Sequence, residues 1–170
     1  MDFDPAIKGI ASQPFWLHWK DLDGRPRRHA PDFFARRADG SGVVVDVRLD
    51  DRILPKDAEV FRVTALACVT ALACGQAGWE FRRAGAIDPV LRANVRWLSR
   101  YRHPRSRREA VAAALLEAFV GRRPLLAGAA LAGDPVAVLP VAYHLLWRRE
   151  LCCDLSVLLG GTSTTCRAEG

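Results

Sequence analysis

The run Val43-Val44-Val45-Asp46-Val47-Arg48 constrains this chain most, because a β-branched stretch of that length has the composition of a strand buried inside a sheet. A carboxylate in its middle is costly to bury alone, so Asp46 needs a metal ion or a basic side chain beside it. Strand periodicity sends Asp46 and Arg48 to one face and Val47 to the other. Pro31-Asp32 lies thirteen intervening residues upstream, and the turn sequence Ala38-Asp39-Gly40-Ser41-Gly42 folds Asp32 back beside Asp46. Two carboxylates and a cation then converge. Paired carboxylates suit a hard divalent ion, usually Mg²⁺ completed by water and a substrate phosphate. The same residues also allow a purely structural ion pair between Asp46 and Arg48, Arg27 or Arg28. His29, just ahead of Pro31-Asp32, reads either as a group supporting the acids or as a plain surface residue.

Phe15-Trp16-Leu17-His18-Trp19-Lys20 is an aromatic-rich strand stopped by Asp21-Leu22-Asp23-Gly24, and Arg27 to Arg36 is a second extended run. With Val43–Arg48 they predict a three-stranded antiparallel meander after an extended lead-in. From Pro55 the period changes to that of a helix of about five turns ending near Ala73, with Cys68 and Cys74 as core thiols. Trp79-Glu80-Phe81-Arg82-Arg83 alternates as a fourth strand, and Asp88-Pro89 opens a helix running to about Tyr101. The order β-β-β-α-β-α predicts a mixed α/β domain over residues 1–103. His103-Pro104-Arg105-Ser106-Arg107-Arg108 is short, polar and broken by proline, which marks a boundary. Helical patterns at Glu109–Val120, Arg123–Leu131 and Pro135–Glu150 follow. They predict a small helical or winged-helix domain over residues 104–158, with the last helix in the recognition position and ending at Arg148-Arg149. The Gly/Ser/Thr-rich residues 159–170 are expected to be a disordered tail.

At 170 residues the chain is too short for two large domains. Its five cysteines include no C-x-x-C pair, which argues against a disulfide framework or a zinc site and suits reduced thiols in a cytoplasmic protein. The start, MDFDPAIKG, has neither a basic nor an apolar leader segment. Pro124–Trp147 carries Asp134 as its only formal charge, yet Gly133-Asp134-Pro135 and Pro140 interrupt it, so it predicts two helices and no membrane span.

The net charge of +6 is unevenly placed. Residues 1–85 hold 13 basic and 12 acidic side chains; residues 86–170 hold 12 and 7. Between Arg92 and Arg108 there are seven arginines and no acid. Arg92, Arg96 and Arg100 recur at i, i+4 and i+8 and form one ridge, which with Arg102 and Arg105 suits a phosphate backbone; a solvated helix face is the alternative. Trp97 and Tyr101 read as packing residues.

The ordered series His29-Ala30-Pro31-Asp32-Phe33-Phe34, Val43-Val44-Val45-Asp46-Val47-Arg48, Gly78-Trp79-Glu80-Phe81, Asn94-Val95-Arg96-Trp97-Leu98, Tyr101-Arg102-His103-Pro104-Arg105 and Leu139-Pro140 with His144-Leu145-Leu146-Trp147 resembles TnsA-like transposon endonucleases of the PD-(D/E)xK nuclease superfamily. The resemblance spans most of residues 2–158. It implies a restriction-endonuclease-like α/β fold, a mixed sheet with flanking helices, followed by a small helical or winged-helix domain. The implied activity is Mg²⁺-dependent cleavage of transposon-end DNA, Mn²⁺ being an alternative ion. The implied partners are an integrase-type transposase and an AAA+ ATPase regulator.

By position, Asp32 matches the metal-binding Asp of the Pro-Asp motif and Asp46 the acidic position of the (D/E)xK element. Arg48 stands where the superfamily usually carries Lys. A guanidinium cannot act as a general base but can neutralise charge on a phosphate, and Lys56 offers an ammonium group from a displaced position. The implied catalytic set is therefore Asp32, Asp46 and Arg48 or Lys56. The family also contributes a Glu from a helix before the first strand, and residues 1–13 contain none. That departure points to an N-terminally shortened chain and keeps two other readings open: a catalytically incomplete adaptor that binds DNA or the transposition ATPase, and a winged-helix regulator with an unrelated N-terminal domain.

Overall fold

The computed structural model describes residues 2–20, 24–47 and 78–168. The expected helix from Pro55 to Ala73, the turn residues Asp21–Asp23, and Arg48, Lys56, Cys68 and Cys74 lie outside the described residues. The chain divides into two compact units, residues 1–86 and 87–170.

The first unit is built on a mixed four-stranded sheet of order β1-β4-β5-β6, with β1 (Ile7–Ser12), β4 (Phe33–Arg37), β5 (Gly42–Val47) and β6 (Trp79–Ala84). The β1–β4 and β4–β5 pairs are antiparallel and β5–β6 is parallel. A separate antiparallel pair joins β2 (Leu17–Lys20) to β3 (Pro26–His29). The predicted meander is thereby corrected. Its second run splits into β3 and β4 in different sheets, at Pro31, which has no N–H to give a ladder. The lead-in itself forms β1, an edge strand whose side chains are mostly exposed.

The central strand β5 is buried on both faces from Gly42 to Asp46, as its β-branched composition requires. Val43 and Val45 pack with Ala35, Ile7, Phe33 and Ala84 on one face. Val44 packs with Phe15, Leu17, Phe34, Trp79 and Phe81 on the other. Gly42 is required at its position: a Cβ there would lie 2.6 Å from the Phe34 ring and 2.7 Å from Trp79, which stack with Phe15 into one aromatic cluster.

Among its described residues the second unit holds four α-helices, α1 (Pro89–Leu98), α2 (Glu109–Ala118), α3 (Leu125–Ala132) and α4 (Pro135–Trp147), with 3₁₀ turns at Ser99–Tyr101 and Pro104–Ser106. It also holds a three-stranded antiparallel sheet of order β7-β9-β8, from β7 (Arg123–Pro124), β8 (Leu151–Cys153) and β9 (Thr164–Arg167). Asp88 caps α1 by accepting the Val90 and Leu91 N–H groups, each at 2.9 Å, and Asp134 caps α4 through Val136. α4 is the core helix, packed against α1, α2, α3 and β8, and every position from Val138 to Trp147 is buried or half-buried. Its exposed positions, Val136 and Ala137, are confined to the first turn.

Two expected boundaries move. α1 belongs with the second unit, not the first, because its buried Asn94 clamps the loop after β8: the side chain donates to the Leu155 and Val157 carbonyls at 3.0 and 2.7 Å and accepts from the Leu159 N–H at 2.9 Å. The expected disordered tail carries β9 up to Arg167, and its Ser163 and Gly161 carbonyls accept the Leu125 and Leu126 N–H groups that open α3. α3 and α4 meet at a bend of 116°, and among the described residues no single helix is long and apolar enough to cross a membrane.

Candidate functional site

The acidic site forms where β5 meets the segment between β3 and β4. Antiparallel pairing sets Phe33 opposite Val45, which brings the residue before Phe33 alongside Asp46. The Asp32 N–H donates to Asp46 Oδ1 at 3.2 Å, and Asp32 Oδ2 in turn accepts the Val47 N–H at 2.7 Å. The two aspartates expected to converge therefore do so, each fixed by a backbone N–H beside the other.

Asp46 is 1% exposed and needs compensation. His29 supplies it, with Nε2 at 2.8 Å from Asp46 Oδ2. The local reason is the β2–β3 pair: Leu17 stands opposite His29, and Leu17 packs on Val44, so the hairpin lies over the face of β5 that carries both Val44 and Asp46. His29 thus has the supporting role, not the surface one. Arg28, weighed as an alternative partner, places its guanidinium over the Trp16 ring, 5.1 Å from the centroid.

A further cation, Arg83, stands beside the site. Parallel register sets Trp79, Phe81 and Arg83 beside Gly42, Val44 and Asp46. Trp79 and Phe81 pack on the Val44 face, and period-two alternation puts Arg83 on that face too, at the level of Asp46. The signal was present as Trp79-x-Phe81-x-Arg83, but only the crossover register gives it meaning. Beyond it, Glu80 pairs with Arg37 and with Arg82, at 3.0 Å for the latter, and those two guanidiniums hold its carboxyl below the ordinary 4.5.

Carboxylate oxygens are the donor type a hard divalent cation takes, and one or two such ligands with water and phosphate suffice for Mg²⁺. Asp32 and Asp46 fit that donor set. Among the described residues no group of three His, Cys, Asp or Glu side chains is arranged to hold a metal.

In the second unit Arg92, Arg96, Arg100, Arg102 and Arg105 are all exposed. Arg92 and Arg96 project from α1 opposite the buried Asn94 and Leu98, and Arg100 follows in the 3₁₀ turn Ser99–Tyr101. Arg100 lies over the Trp97 ring at 4.9 Å, and Trp97 and Tyr101 pack on Tyr143, whose hydroxyl is pushed above its ordinary pKa by burial and by Tyr101. Two arginines of the basic stretch have structural work instead. Arg107 bonds Glu109 at 2.7 Å and Glu150 at 2.6 Å, and Arg108 donates to the Ala137 carbonyl.

No protein-family model and no curated protein matches the chain.

Proposed function

We propose that the chain is a TnsA-like, Mg²⁺-dependent DNA endonuclease subunit of a heteromeric transposase, with a restriction-endonuclease-like first unit. The observation that carries this reading is the junction of Asp32 and Asp46, locked by the 3.2 Å and 2.7 Å backbone bonds at the C-terminal end of the central strand. The mixed sheet supports it, because the parallel β5–β6 pair leaves that strand end at the sheet's rim.

Asp32 and Asp46 would hold the Mg²⁺, which when bound supplies an activated water and neutralises phosphate charge. His29 holds the Asp46 carboxylate in place, and the Asp32 N–H fixes its other oxygen. Arg83, level with Asp46, is placed to meet an anionic backbone, a role expected of Arg48 or Lys56. The exposed ridge Arg92, Arg96 and Arg100, with Arg102 and Arg105, would contact phosphates. In the second unit, the order α2-β7-α3-α4-β8-β9 and the 116° bend between α3 and α4 support a winged-helix-like module. By the resemblance, that module's role is contact with the partner transposase or the AAA+ ATPase.

One observation favours the adaptor reading: His29 and the Asp32 N–H already bond both oxygens of the buried Asp46 carboxylate. Nicking of a supercoiled plasmid bearing transposon ends, with the partner transposase and Mg²⁺, separates the two. The endonuclease reading expects a nicked product that falls by about 10²-fold or more in Asp32→Ala and Asp46→Asn. Equal products from parent and variants would overturn it and leave the adaptor.

A further inference from the structure

The sheet of the second unit carries a feature that the acidic site does not use. Cys152 on β8 and Cys166 on β9 are directly paired across the antiparallel ladder, and their Sγ atoms lie 3.2 Å apart. Opposite residues in such a ladder have Cα separations of about 4.5–5.5 Å, inside the window of about 4.4–6.8 Å that a disulfide spans. Both are thiols, and both line an open groove of about 560 Å³ together with Arg122 and Arg167. We propose that Cys152 and Cys166 are a dithiol site that a small anionic disulfide of the glutathione class oxidises to a cross-strand disulfide.

Chemistry and access agree. Both half-buried cysteines line the groove, so a small reagent in it reaches them, and the two guanidiniums attract its carboxylates. One protein thiolate attacks a sulfur of the reagent, forming a mixed disulfide and expelling one small thiolate. The second protein thiolate attacks the protein sulfur of that mixed disulfide, forming the Cys152–Cys166 bond and expelling the other. The two cysteines lose two electrons and two protons; the reagent gains them as two thiols. Cys153 does not compete. It is the next residue on β8, so its side chain points to the opposite face, and burial pushes its thiol up to about 11, which keeps it protonated. The bond would close the segment whose carbonyls serve Asn94 and the first turn of α3, fastening β8 to β9 around it.

The full-length folded chain, incubated with oxidised glutathione, alkylated and digested with trypsin, reports the outcome directly. Cleavage after Arg149 and Arg167 yields one fragment holding all three cysteines, Cys152, Cys153 and Cys166. The fragment is expected two hydrogens lighter with a single alkylated cysteine, and cleavage before Asp154 is expected to leave its halves joined. Cys153→Ser keeps the link, while Cys152→Ser and Cys166→Ser each abolish it. The linked protein is expected to melt roughly 10 °C higher, because the bond fits the native register. A Cys152–Cys153 link, glutathione adducts alone, no reaction, or a link that fails to raise the melting point would each overturn the proposal.

Discussion

Replacing Arg92, Arg96 and Arg100 together by alanine removes three exposed cations while leaving the buried face of α1 intact. Arg92 and Arg96 stand about 6 Å apart along α1, and Arg100 follows in the 3₁₀ turn Ser99–Tyr101. Asn94 and Leu98, which hold the helix in place, lie about half a turn away around its axis. The fold should therefore survive, and alanine favours helix. Each phosphate contact adds about 0.9 to the slope of log affinity against log salt, so three contacts account for about 2.7. Between 50 and 200 mM salt, roughly a fourfold range, that slope is worth about 40-fold in affinity. Fluorescence anisotropy of a labelled duplex across this range measures it. The parent is expected to lose about 40-fold more affinity than the triple variant, whatever the sequence of the duplex. Equal slopes in the two proteins would refute the assignment of the ridge to DNA, even if absolute affinities differed.

Other expectations follow from individual contacts. Asn94→Ala removes three hydrogen bonds to the loop after β8 and should cost the second unit roughly 2–4 kcal/mol, read as a fall of about 10–20 °C in its melting point. Gly128→Ala places a Cβ 2.2 Å from the buried Phe119 ring, so chemical denaturation should show a loss of about 1–3 kcal/mol at unchanged m-value. Glu80, held below 4.5 by Arg37 and Arg82, contributes stability that is present above that pH and lost as pH falls through its lower folded value. Glu80→Gln should therefore flatten the acid limb of the first unit's stability profile below pH 4.5 and leave its slope near neutrality unchanged.

Much of this architecture is legible from local pattern. The β-branched run of β5, the alternating β6 and the Asp-Pro starts of α1 and α4 are all encoded within a few residues, and each forms within a residue or two of where the sequence puts it. The convergence of Asp32 and Asp46 is legible as well, since a short turn between two strands fixes which residues lie alongside. What sequence hides is long-range. β1 contains Gly9 and no clean alternation, and only its pairing with β4 makes it a strand. α1 joins the second unit because one asparagine binds carbonyls more than 60 positions away. Residues 159–168 read as a polar tail until their carbonyls are seen to open α3. The choice between the two roles of His29 is hidden as well, because its partner depends on the hairpin lying over β5.

Anomalous diffraction from crystals grown with Mn²⁺ tests the central claim most directly, since the ion scatters where it binds and is of the kind the site should accept. A single peak at about 2.1 Å from carboxylate oxygens of both Asp32 and Asp46, lost in Asp46→Ala, is the predicted result. Density with no such peak, and the 2.8 Å contact between His29 and Asp46 undisturbed at millimolar Mn²⁺, would contradict it.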